Sequence, residues 1–228
     1  MVFAIILGVI LGIAHYLSEM ICTAFSKHRD IFLSFVAGIS VSYVFVELLP
    51  SLFHPDASLR TLIFLFMLLG FFLFHIFEKF IYQHSKTSLL VKELTKLHSF
   101  GFFVYHFVIG IILVHFLSMG FKSAILFFIP AFFYSLIGEV SLHEIHSSLK
   151  KRWYWKFFLA LSTLLGVVLA TFVFLPLAVN LVLLGFVGGA LVYVVIRDSI
   201  PKEREGNLLT FTAGVVLYTF LILFLRII

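Results

Sequence analysis

The sequence predicts an all-α polytopic membrane protein: one transmembrane domain over residues 1–228, eight spanning helices, and both chain ends on the non-cytoplasmic side. Three observations carry this. Hydrophobic residues fill 62% of the 228 positions and charged residues only 12%, about half the charged share of a water-soluble domain. So little polar material cannot cover a particle in water, and the mean hydropathy of +1.18 makes lipid the expected solvent. Apolar runs then recur at the length of about 20 residues that crosses a bilayer. Finally, the basic residues segregate to one side of those runs.

Taken in order, the runs lie at 2–24, 31–53, 60–82, 98–119, 122–149, 154–175, 177–198 and 208–227. Charged or turn-forming residues separate them at 26–30, 54–60, 83–96, 120–123, 150–153, 176–180 and 200–207, and none of these breaks is long enough to hold a further domain. Trp153 and Trp155 suit a membrane–water interface. Met1 leads straight into apolar residues, without a basic stretch or a small-residue cleavage site. The first run is therefore expected to be a retained helix and not a signal peptide. Cys22 is the single cysteine, which excludes an intrachain disulfide and a cysteine-pair zinc motif.

Orientation follows from charge. With the N-terminus outside, the inner breaks and helix ends hold Lys27, Arg29, Lys79, Lys86, Lys92, Lys96, Lys150, Lys151, Arg152, Lys156, Arg197, Lys202 and Arg204, and the outer side holds only Arg60, Lys122 and Arg226. Thirteen against three is a strong positive-inside asymmetry. It accounts for the net charge of +5 without a nucleic-acid partner.

Ionisable residues inside the spans are His15 and Glu19 in helix 1, Glu47 in helix 2, and His75 and Glu78 in helix 3. Helix 4 carries His106 and His115, helix 5 carries Glu139, His143, Glu144 and His146, and helix 7 ends at Asp198. Charge at bilayer depth is costly and ordinarily faces a partner, a cavity or an ion path. Glu19 and Glu78 lie near inner helix ends, where pairing or snorkelling accounts for them. His75 and His115 are isolated and read as packing, and His146 stands close enough to Lys150 to be interfacial. Helix 5 is the most informative: Ser135, Glu139, His143 and His146 recur at i, i+4, i+8 and i+11, one polar stripe on an apolar helix. His106 and Glu139 lie at similar depth from the inner ends of helices 4 and 5, so if those helices are neighbours the two can share an ion. Histidine with carboxylate is the ligand chemistry of a divalent transition metal.

Two segments resemble the ZIP family of divalent-metal transporters. Helix 2 reads FVAGISVSYVFVELLP, with Glu47 at the histidine of the family's HLLP-like step, and helix 7 reads GFVGGALVYVVIRDSIP, where Gly189, Tyr193, Asp198 and Pro201 match and Lys202 replaces an acid. Helix 3, GFFLFHIFEKF, adds Glu78 and Lys79, and eight helices with both ends outside is the family's topology. In the stretch matching the family's HNFxDG motif, YHFVIG, Tyr105 stands at the His position, His106 at Asn, Phe107 at Phe, Ile109 at the acid and Gly110 at Gly. The family's HExPHE in helix 5 admits two registers. One sets His143, Glu144 and Ile145 on its start. The other, which matches depth and is preferred, sets Ser135 and Leu136 on the first pair and Glu139 on the second histidine.

The resemblance implies an alternating-access carrier, not an enzyme, in which helices 1, 4, 5 and 6 move against helices 2, 3, 7 and 8. Its substrate is one zinc, iron or manganese ion held by His106 and Glu139, with His143, Ser135 and Tyr105 in support. Glu47 is expected at the outer mouth and Asp198 at the inner one, with Glu19 and Glu144 also along the path. No organic cofactor is expected. The partners are the metal ion and the lipid bilayer, with a homodimer as a further possibility, and the expected location is a bacterial-type cell (inner) membrane. Two alternatives stay open: an intramembrane metal-dependent hydrolase using Glu139, His143 and His106, and a ZIP-like protein that no longer transports, motivated by Ile109 and Leu136 at ligand positions.

Overall fold

A computed structural model describes residues 2–24, 28–54, 56–84, 87–137, 153–196 and 206–227, with backbone alone at 19, 21–24, 29, 87–99, 137 and 153–156. Every element among the described residues is helical. They are α1 (Val2–Ala24), α2 (Arg29–Tyr43), α3 (Ala57–His84), α4 (Thr87–Met119), α5 (Phe121–Ile137), α6 (Trp153–Phe172), α7 (Leu177–Val194) and α8 (Leu208–Ile227). A π-helical turn over Val44–Leu48 carries α2 on to a last turn at Leu49–Ser51.

Helix ends follow local chemistry. The Asp56 carboxylate accepts the Leu59 N–H at 2.7 Å to cap α3, and the Asn207 side-chain oxygen Oδ1 accepts the Thr210 N–H at 3.0 Å to cap α8. Gly120 at φ 143° makes the one-residue corner between α4 and α5, and Gly206 at φ 82° leads into α8. Both conformations are open to glycine and strained for other residues. The expected break at 83–96 is instead mostly helix, because α4 begins at Thr87. No Gly or Pro interrupts 83–96, and its Leu, Lys and Glu residues favour a helix even where they are charged.

Among the described residues, five helical stretches are long and apolar enough to cross a membrane: Asp30–Ser51, Ala57–His84, Phe100–Met119, Leu177–Val194 and Leu208–Ile227. The apolar parts described in α1, α5 and α6 are shorter, Val2–Ser18, Phe121–Leu136 and Phe157–Phe172. Residues 138–149 of the fifth expected span lie outside the described residues.

Small residues decide which helices touch. A Cβ on Gly38 or Gly214 would overlap the facing backbone of α8 or α2, one on Gly70, Gly185 or Gly189 that of α7 or α3, and one on Gly110 or Gly166 that of α6 or α4. Gly12 likewise brings α1 against α6, 2.7 Å from the Ala160 carbonyl oxygen to a would-be Cβ. Without a hydrophobic drive between helices in lipid, such backbone approach is a main source of association. The result is three closely joined pairs, α2 with α8, α3 with α7, and α4 with α6, with α1 laid on α6 and α5, and α5 on α1 and α4. The contacts of α4 and α5 with α2, α3 and α7 are thinner and made by side chains, such as Phe133 against Phe32 and Phe35, and Tyr43 against Phe127.

Candidate functional site

The thin seam holds a cavity. Tyr43 and Leu48 of the α2 segment, Tyr105 and Ile109 of α4, Phe127, Pro130 and Ala131 of α5, and Val187 and Leu191 of α7 enclose about 10 Å³, room for about one water molecule. Two backbone irregularities meet there. The π-helical turn begins at Val44, directly after Tyr43, and such turns widen the helix and often mark functional positions. Pro130 sits inside α5 and has no N–H for the Leu126 carbonyl four residues back. Tyr218 of α8 supplies the missing donor, its hydroxyl hydrogen-bonding to that Leu126 oxygen. The Tyr43 hydroxyl is buried and has no hydrogen-bond partner among the described residues.

Tyr105 and His106 diverge although they are consecutive. Tyr105 lines the cavity and meets Tyr134 edge to face at 5.4 Å between ring centres. His106, about 100° further round the helix, is buried among α1, α5 and α6 side chains. Its ring stands 4.1 Å from Phe102, 5.5 Å from His15 and 6.5 Å from Tyr134. Its Nδ1 is 3.4 Å from the Thr163 hydroxyl, while Nε2 has no hydrogen-bond partner among the described residues. Ser135 is fully buried and donates to its own helix at the Ala131 carbonyl, 2.8 Å away. That back-bond leaves the hydroxyl a weak ligand at best.

Of the expected path residues, Glu47 lies in the π-helical turn and accepts from Arg226 Nη2 at 2.9 Å. Glu19 is placed by its backbone alone, on α1, and Glu139, His143, Glu144 and Asp198 lie outside the described residues. Among the described residues no group of three or more His, Cys, Asp or Glu side chains stands close enough to hold a metal ion. Glu78 is a paired structural carboxylate, accepting from the Tyr193 hydroxyl at 2.8 Å across the α3–α7 contact.

The structure adds two residues to which the sequence assigned no role, His15 and Tyr43. His15 was visible as an intramembrane histidine, but nothing in one sequence pairs helix 1 with helix 4. Tyr43 had no signal, since a tyrosine in an apolar run reads as packing. No known protein-family model matches the chain, and no curated protein sequence matches it.

Proposed function

We propose that this chain is an eight-span, ZIP-like carrier that moves a divalent metal cation (zinc, iron or manganese) by alternating access, with both termini outside. The observation that carries this reading is the contrast between joined helix pairs and the side-chain seam that holds the cavity. The pairs α2–α8 and α3–α7 fall in one expected moving set, and α4–α6 with α1 and α5 in the other. Alternating access needs rigid units that slide past one another, and backbone-to-backbone glycine contacts make rigid units while side-chain contacts yield. On this reading Glu139 with His106 and His143 chiefly hold the ion inside the unit of α1, α4, α5 and α6, and Tyr105 lines the seam beside it. Glu47 stands at the outer mouth and Asp198 at the inner one.

The test is uptake of zinc, manganese and ferrous iron into proteoliposomes holding the full chain. At least one ion should enter faster than in empty vesicles, and Glu139→Gln, which keeps shape and removes charge, should abolish its binding and uptake. Folded protein that moves none of the three overturns the reading. Wild-type metal binding by Glu139→Gln would instead shift the site to the His143–Glu144 register. Cysteines placed at 83–96 and 200–207 in a Cys22→Ser background should label only from the cytoplasmic side. Labelling from outside would overturn the orientation.

A second reading has its own observation: Tyr105 and Ile109, at the family's ligand positions, line the cavity with a phenol and a hydrocarbon. A ZIP-like protein that keeps the fold without transport fits that lining, and metal binding without uptake would select it.

A further inference from the structure

We propose that His15 joins His106 in a two-imidazole site for a borderline divalent cation of the zinc class, inside the α1, α4 and α6 unit, with His106 shared with the carrier's ligand set. The two rings come from different helices, are 4% and 1% exposed, and stand 5.5 Å apart between centres with 27° between their planes. An imidazole bound to zinc at about 2.0–2.1 Å keeps its ring centre about 3.2 Å from the ion, so two rings at a tetrahedral angle stand about 5 Å apart. The observed spacing is within a rotation of that value. The last torsion of an imidazole is broad, so the rings turn toward a shared ion without moving a helix.

The tautomer fits as well. When His106 Nδ1–H donates to the Thr163 hydroxyl at 3.4 Å, Nε2 carries the lone pair, and Nε2 is buried without a hydrogen-bond partner. A hydrogen bond on one ring nitrogen that orients the other for a metal is the usual outer support of such ligands. Packing alone does not explain the choice of residue. Phe102 stacks on the His15 ring at 4.5 Å and meets the His106 ring tilted at 4.1 Å, and a phenyl ring at 106 would fill the same space without burying a bare nitrogen.

Two neutral ligands plus water hold a cation weakly, which suits a station an ion must leave again. The site requires only the folded bundle, so it stands or falls apart from the transport reading.

The test uses zinc alone on the full chain in detergent. Folded His15→Gln should bind zinc at least tenfold more weakly than the parent. X-ray absorption at one zinc per chain should count one imidazole fewer. A folded His15→Gln with unchanged affinity and imidazole count overturns the proposal. If that variant fails to fold, His15→Cys in a Cys22→Ser background decides. It should show a zinc–sulfur contact near about 2.3 Å, and zinc bound without sulfur overturns the site. Histidine-bound zinc without proteoliposome uptake would sink the carrier and keep this site, and uptake with His15→Gln behaving as wild type would do the reverse.

Discussion

Gly188 and Gly189 are neighbours in α7, and they belong to different kinds of contact. A Cβ on Gly189 would overlap the Met67 carbonyl of α3, where only backbone would have to yield. A Cβ on Gly188 would meet the end of the Leu48 side chain, 3.3 Å from Cδ2, with Leu52 just beyond. One residue step thus passes from a joint that cannot relax to one that can. A bundle built of both kinds has tightly joined pairs and a looser seam between them.

The largest expected effect tests that contrast directly. Gly189→Ala should cost more than about 3 kcal/mol or prevent folding, since backbone overlap exceeds ordinary overpacking. Gly188→Ala should cost under about 1 kcal/mol, because a leucine methyl turns aside. Thermal unfolding in detergent reads both. Equal losses would mean that α7 meets its two neighbours alike and that the seam is no slip plane.

The next effect is smaller and compares two buried tyrosines, Tyr43 at the cavity and Tyr218 on α8. Tyr218 donates to the Leu126 carbonyl left open by Pro130, so Tyr218→Phe strands a buried acceptor and should cost about 1–3 kcal/mol. The Tyr43 hydroxyl has no hydrogen-bond partner among the described residues, so Tyr43→Phe should leave stability within about 0.5 kcal/mol of wild type. If Tyr43→Phe is the costlier variant, that hydroxyl is structurally held and is not a polar lining for the cavity.

This contrast also divides what was legible in one sequence from what was not. Apolar runs locate the helices because their length is set by the bilayer, and each described helix overlaps a predicted run. The break at 83–96 was misread because a charged stretch and a loop share a composition, whereas helix propensity runs on through Thr87 and Lys96. The pairings were not legible: Gly38 and Gly214 are separated by most of the chain, and a lone glycine in an apolar run announces no partner. The site was legible only as a ligand inventory. Spacing put His106 on α4 but could not turn it toward His15 and Thr163, since which face of α4 meets α6 is decided by Gly110 and Gly166 together.

The smallest expected effect lies at the bundle end, in the Glu47–Arg226 pair. Both residues belong to the joined α2–α8 pair, so the ion pair does not bridge the seam. Arg226 is 51% exposed and Glu47 13%, so solvent screens the attraction, and Arg226→Gln should lower stability by no more than about 0.5 kcal/mol. Its consequence for a cation is greater than that for folding. Arg226 is a tethered cation beside the Glu47 carboxylate in the π-helical turn. Removing it should lower the KM for metal uptake by about twofold to fivefold, because the mouth becomes more negative and attracts cations. The gain should fade as salt shortens the screening length from about 10 Å at 0.1 M to about 3 Å at 1 M. Uptake kinetics at two ionic strengths check it. An unchanged KM would take Glu47 off the path, and a stability loss above about 2 kcal/mol would make the pair a clasp that holds α8 to the π-helical turn.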